Sequence, residues 1–188
     1  MSSSGEIYHE LLIAGFGGQG IVLAGRLLAT AALSEGREVV WAPSYGPEMR
    51  GGAVHCTIIV SWNRIGSPEV SLADSLLILD NASMQKFAGR MKPGGLLITN
   101  SSLVHLPEKL DAGELIRIPA SKAAEDLGDL RVANVIMLGA FLHARPIVST
   151  DSLVEAMRLF APKGKEHLIA INVRAMERGA ELAGAAAS

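Results

Sequence analysis

Four aliphatic residues, Leu11-Leu12-Ile13-Ala14, run directly into Gly15-Phe16-Gly17-Gly18-Gln19-Gly20 and then into a helical stripe of Ile21, Leu23, Ala24, Leu27, Leu28 and Ala31. A second apolar run, Val39-Val40-Trp41, follows once Gly36 has ended that helix. Strand, helix from about Gly20 to Ser34, strand is the unit that builds parallel sheets, because a helix returns the chain to the edge it left. The side chains agree: 49% of the residues are hydrophobic but only 4% aromatic. An aliphatic core of that kind suits strands covered on both faces. At 188 residues the chain supports one such domain. The expected fold is therefore α/β, a single three-layer domain over 1–188, with a mostly parallel sheet flanked by helices. Its core is expected over about 9–182, with flexible ends at 1–6 and 183–188.

The remaining elements follow the same alternation. Ala53 to Trp62 is longer than most buried parallel strands, and a strand of that length can lie antiparallel to its neighbours and make the sheet mixed. Leu76 to Leu79 and Leu96 to Thr99 read as buried strands, with a helix from Ser83 to Met91 and a Pro93-Gly94-Gly95 turn between them. Glu114 to Ile118 reads as the last strand, and Ala123 to Leu127 as a helical turn. Arg131 to Ala144 is apolar all round, hence a buried helix stopped by Pro146. Ser149-Thr150 caps a helix from Leu153 to Phe160, Lys163-Gly164-Lys165 is a solvated turn, and a last helix runs from Glu166 to Leu182 before a frayed tail.

Composition removes several functions. A net charge of -2 without a basic run argues against nucleic acid. The single cysteine, Cys56, excludes an internal disulfide and cannot carry an iron–sulfur cluster; within an apolar alternation it reads as buried and inert. The five histidines, at positions 9, 55, 105, 143 and 167, have no i, i+3 or i, i+4 pairing, so no metal site is expected. His55 reads as a half-buried strand residue, Asp80 and Asn81 as caps for the helix near Ser83 or as lining of a crevice, and Ser101-Ser102 lack an acid–base partner for nucleophilic work. No signal peptide or membrane span is visible, which points to a cytoplasmic protein.

Gly15 to Gly20 matches the dinucleotide fingerprint G-x-G-x-x-G between a strand and a helix. That fingerprint also needs an acid at the end of the second strand to hold the ribose. Here the strand ends in Trp41-Ala42-Pro43-Ser44; Glu38 precedes it and Arg50 comes late. A free-standing NAD(P)-dependent oxidoreductase domain is thus the lesser reading, beside a phosphate site, a tight turn, or a small acyl-carrier or nucleotide-binding module. The second loop, Ser44-Tyr45-Gly46-Pro47-Glu48-Met49-Arg50-Gly51-Gly52, gathers an aromatic, an acid, a base and three glycines. Such density fits a surface that a ligand or protein approaches closely, with Arg50 either paired to Glu48 as a solvated surface pair or free to grip a carboxylate or phosphate. Both loops leave carboxyl ends of strands expected to be neighbours, so they should meet at one crevice.

These two loops together resemble the gamma subunit of 2-oxoacid:ferredoxin oxidoreductases. The form Ser-Tyr-Gly-Pro-Glu-Met-Arg-Gly-Gly is most similar to the 2-oxoglutarate branch, with the branched-chain 2-oxoacid enzymes close behind. Gly66-Ser67-Pro68 and Asn134 to Gly139 extend the likeness, which runs from Leu11 to about Met176. The resemblance implies a non-catalytic subunit of a complex that decarboxylates a 2-oxoacid, forms acyl-coenzyme A and reduces ferredoxin. It implies alpha, beta and delta (ferredoxin-like) partners, with thiamine diphosphate, magnesium and iron–sulfur clusters on them. For this chain it implies subunit assembly and coenzyme A binding, with no catalytic or metal-binding residue of its own. The candidates for coenzyme A or a subunit interface are Gly15, Gly17, Gly18, Gln19 and Gly20, with Ser44, Tyr45, Gly46, Glu48, Met49, Arg50, Gly51 and Gly52. With a large aliphatic surface meant for burial against partners, the isolated chain is expected to form a homodimer or to aggregate.

Overall fold

The aliphatic runs assemble into a six-stranded sheet in the order β2-β3-β1-β4-β5-β6 in a computed structural model. It describes residues 7–45, 53–108, 112–165 and 167–186, without the side chain of Tyr45. The strands are β1 (Tyr8–Phe16), β2 (Glu38–Tyr45), β3 (Ala53–Ser61), β4 (Ala73–Ile78), β5 (Met91–Asn100) and β6 (Glu114–Ile118). The helices are α1 (Ile21–Ser34), α2 (Asn81–Phe87), α3 (Ala120–Asp126), α4 (Ala133–Ala144), α5 (Thr150–Phe160) and α6 (His167–Ala186). β1, β4, β5 and β6 pair in parallel, while β3 runs antiparallel to both β1 and β2. The long strand thus does make the sheet mixed.

Alternate residues of β1 face opposite layers, as the period of two demands. Leu11 and Ile13 join the core beneath α1, α3, α4, α5 and α6; Leu12 and Ala14 join a smaller one with Met84 and Phe87 of α2. The helical layer is held by close backbone contact. A Cβ on Gly139 of α4 would stand 2.0 Å from the Met176 carbonyl oxygen of α6, and one on Gly179 of α6 only 1.9 Å from that of Ile136. The two helices therefore cross where neither has a side chain.

Several boundaries differ from the sequence reading, and three of them carry a physical lesson. β2 continues through Pro43, Ser44 and Tyr45, because pairing to β3 supplies partners that local composition does not reveal. Pro93-Gly94-Gly95 does not precede β5 but lies within it. Between Ala73↔Met91 and Ser75↔Leu96, two steps along β4 are matched by five along β5, so these residues bulge from the ladder. α6 continues to Ala186 rather than fraying after Leu182, since Ala183 packs into the core. The caps fall as expected: Asp80 accepts from the Ser83 N–H at 3.0 Å and Ser149 from the Ser152 N–H at 3.1 Å.

Candidate functional site

The carboxyl ends of β1, β4 and β5 form one edge of the sheet, with the end of β2 and the start of β3 beside them. β1 and β2 are not neighbours, contrary to the sequence reading. β3 lies between them, with Val54 opposite both Gly15 and Tyr45, and His55 opposite both Ala14 and Ser44. The two loops still share this edge, joined across β3: Val54 Cγ2 lies 3.9 Å from where a Gly17 Cβ would be. Of the second loop only Ser44 and the Tyr45 backbone can be placed; Gly46, Glu48, Met49, Arg50, Gly51 and Gly52 lie outside the described residues.

The glycine loop divides its residues between two tasks. Gly15 and Gly20 make room for amides of the protein itself. A Cβ on Gly15 would meet Gln19 Oε1 at 2.3 Å, and one on Gly20 would meet Asn134 Nδ2 at 2.4 Å. Gly20 also sits at φ 73°, in the left-handed region glycine favours. Gln19, a candidate for ligand contact in the sequence, turns inward instead: Oε1 accepts from the Phe16 N–H at 3.0 Å and Nε2 donates to the Leu79 carbonyl at 3.3 Å. Gly17 and Gly18 are exposed, and Gly18, at φ 107°, has open space where its Cβ would be. Behind them α1 begins without a side-chain cap, so its first N–H groups offer partial positive charge to an anion. This is a surface that phosphate oxygens can approach.

Two buried asparagines complete the edge, and neither was singled out as a site residue. Asn100, at the end of β5, donates through Nδ2 to the Leu79 carbonyl at 3.3 Å and accepts through Oδ1 from the Ser121 N–H at 3.2 Å. Asn134 donates to the Gly20 carbonyl at 3.0 Å across 114 residues of sequence. A lone asparagine closing an apolar strand was the only local signal for Asn100. The ring of His55 packs 4.8 Å from that of Phe87, and its pKa is lowered by burial and by the nearby Arg90 and Lys86. Among the described residues no group of three or more His, Cys, Asp or Glu could hold a metal ion.

The geometry also separates this edge from a nicotinamide site. The fingerprint places the ribose-binding acid at the end of the strand next to β1. Here β3 occupies the neighbouring position.

The fold and the site together define an α/β domain with a mixed six-stranded sheet and an open glycine turn at its carboxyl edge. Residues 10–182 match the family described as pyruvate ferredoxin/flavodoxin oxidoreductase, and the chain belongs to it as a gamma-type subunit of the 2-oxoacid:ferredoxin oxidoreductases. It is similar to the ketoisovalerate oxidoreductase subunit VorA of Methanothermobacter marburgensis, 40% identical over 173 residues, covering 91% of this chain and 36% of VorA. This chain therefore spans about a third of that relative's length. It is also similar to the 2-oxoglutarate synthase subunit KorC of Methanothermobacter thermautotrophicus, 37% identical over 184 residues, covering 94% of this chain and 96% of KorC. Among solved structures it resembles 2-oxoglutarate:ferredoxin oxidoreductase from Magnetococcus marinus with 2-oxoglutarate, coenzyme A and succinyl-CoA bound. That match has a TM-score of 0.86 at 25% identity and covers 95% of this chain and 31% of the other.

Proposed function

We propose that this chain serves a 2-oxoacid:ferredoxin oxidoreductase that acts on 2-oxoglutarate, and that it contributes coenzyme A binding and subunit assembly. The observation that carries the coenzyme A reading is the exposed Gly17–Gly18 turn at the uncapped start of α1. A diphosphate can lie against glycine backbone there, with helix N–H groups directed at it. The Magnetococcus enzyme, so similar in fold, holds coenzyme A in its complex. KorC, matched over almost its whole length, supports 2-oxoglutarate as the acid.

Thiamine diphosphate, magnesium, the clusters and all catalytic residues then belong to alpha, beta and delta partners, and ferredoxin is reached through the complex. Residues 1–188 act as one domain, and the enzyme is cytoplasmic. Assembly has its own support: Leu159 is 72% exposed, and an open groove of about 440 Å³ is lined by Arg158, Ile169, Ala170, Val173 and Arg174. Apolar surface of this kind fits burial against another chain.

The test is purification of the tagged chain from its own cells, followed by steady-state assay. Co-purification of thiamine-dependent and cluster-bearing chains, with activity requiring coenzyme A and 2-oxoglutarate, is the expected result. Recovery of the chain without such partners would overturn the subunit reading. Preference for a branched-chain 2-oxoacid would overturn the choice of 2-oxoglutarate alone.

A further inference from the structure

We propose that Gln19 is a positioning residue, whose side-chain amide holds the Gly17–Gly18 turn in the shape needed to receive coenzyme A. The inference rests on the coenzyme A reading above and adds a residue that never touches the ligand. Residues 16–19 are closed twice. The Gln19 backbone N–H donates to the Phe16 carbonyl at 3.2 Å, and the Gln19 side chain accepts from the Phe16 N–H at 3.0 Å. The other end of the amide anchors the turn to β4 through the Leu79 carbonyl.

That carbonyl also receives Asn100 Nδ2, which further bonds Ser121 Oγ at 2.9 Å. The ends of β1, β4 and β5 and the start of α3 are thus joined by two amides meeting at one oxygen. Gly15 matches this arrangement, because any Cβ there would displace Gln19 Oε1. At the far end of the loop Asn134 fixes the Gly20 carbonyl. Gly17 and Gly18 are therefore suspended between two pinned points.

Both polar ends of Gln19 are engaged with the protein, so its influence passes through the turn. Two glycines released from such a hold sample many backbone conformations, and a ligand must then order them on binding. The cost falls on affinity for coenzyme A and leaves the chemical step, which occurs elsewhere in the complex, untouched.

The experiment uses the assembled enzyme carrying Gln19→Met, Gln19→Glu or Gly17→Val in this chain. Gln19→Met keeps the length of the side chain and removes both bonds. Gln19→Glu keeps the shape and the Phe16 contact but sets a carboxylate oxygen against the Leu79 carbonyl in place of the donor, so a circular dichroism melt of each assembled variant separates loss of fold from loss of the turn's shape. Gly17→Val fills open space above the turn without meeting the protein closer than 3.9 Å at its Cβ. KM for coenzyme A is expected to rise about tenfold in Gln19→Met, by the entropy of ordering a freed loop. It should rise in Gln19→Glu as well, with kcat and KM for the 2-oxoacid within about twofold of the parent. If only Gly17→Val moves KM for coenzyme A, the positioning role fails while the site stands. If Gly17→Val also leaves it unmoved, coenzyme A does not bind at this turn and both readings fall. An equal fall in kcat and in use of both substrates would make Gln19 a general structural residue and overturn the proposal.

Discussion

Cys56 and two histidines show how burial alone sets the chemistry of single groups. The Cys56 thiol is fully buried, and desolvation pushes its pKa up to about 12, against a small opposing effect of Trp41. A thiol held protonated at neutral pH is a poor nucleophile. Labelling by a disulfide reagent should therefore be negligible in the native chain and should track unfolding in urea; stoichiometric labelling of folded protein would contradict this. His9, whose Nε2 lies 3.0 Å from Ser75 Oγ, has its pKa lowered by burial, with Asp74 pulling the other way. His55 is lowered by burial, Arg90 and Lys86. Both rings resist protonation only in the folded chain. Their contribution is neutral above the ordinary imidazole pKa of about 6.5 and becomes destabilising as pH falls below it, where the unfolded chain binds protons the folded one refuses. Melting temperature should accordingly fall between pH 7.5 and 5.5, and His9→Gln should flatten that slope. His55 was legible as a half-buried strand residue from its apolar neighbours, whereas His9 was not placed on β1; the charges that act on His55 come from other elements and were not legible.

At the scale of elements, the α4–α6 crossing is the most demanding contact. α4 is buried from Asn134 to Leu142 because it lies between the sheet and α6. Its all-round apolar sequence announced the burial but not the partner. A methyl group at Gly179 would meet backbone atoms of Ile136 and Ala140, which cannot swing aside as a side chain can. Gly179→Ala is expected to cost about 3 kcal/mol or more, at the upper end for overpacking, read from the urea midpoint of the isolated chain. Ser149→Ala, which removes only the cap of α5, should cost about 1 kcal/mol in the same measurement. β2 gives the contrasting lesson. Pro43, Ser44 and Tyr45 look like loop in the sequence, yet they extend the strand along β3. Proline is tolerated there because β2 is the outermost strand of the order.

For the whole molecule, apolar surface left uncovered should govern behaviour outside a complex. Leu159, Leu33 and Leu130 are 72%, 59% and 64% exposed, and the α5–α6 groove stands open. The isolated chain should sediment with a concentration-dependent mass that becomes constant once its partners are added; a strict monomer at all concentrations would count against partner docking on these surfaces. The sequence by itself determined the alternation of strands and helices, the length of β3 that makes the sheet mixed, and the two loops that mark the family. Those are local signals, carried by periodicity and by residues adjacent in the chain. Only the tertiary structure decided that β3 separates β1 from β2, and that Gln19 and Asn134 occupy the space opened by Gly15 and Gly20. Contacts such as Asn134 to Gly20 or Gln19 to Leu79 join residues 114 and 60 positions apart. Nothing along the chain records them, because the free energy of seating an amide depends on which strand ends the completed sheet brings together.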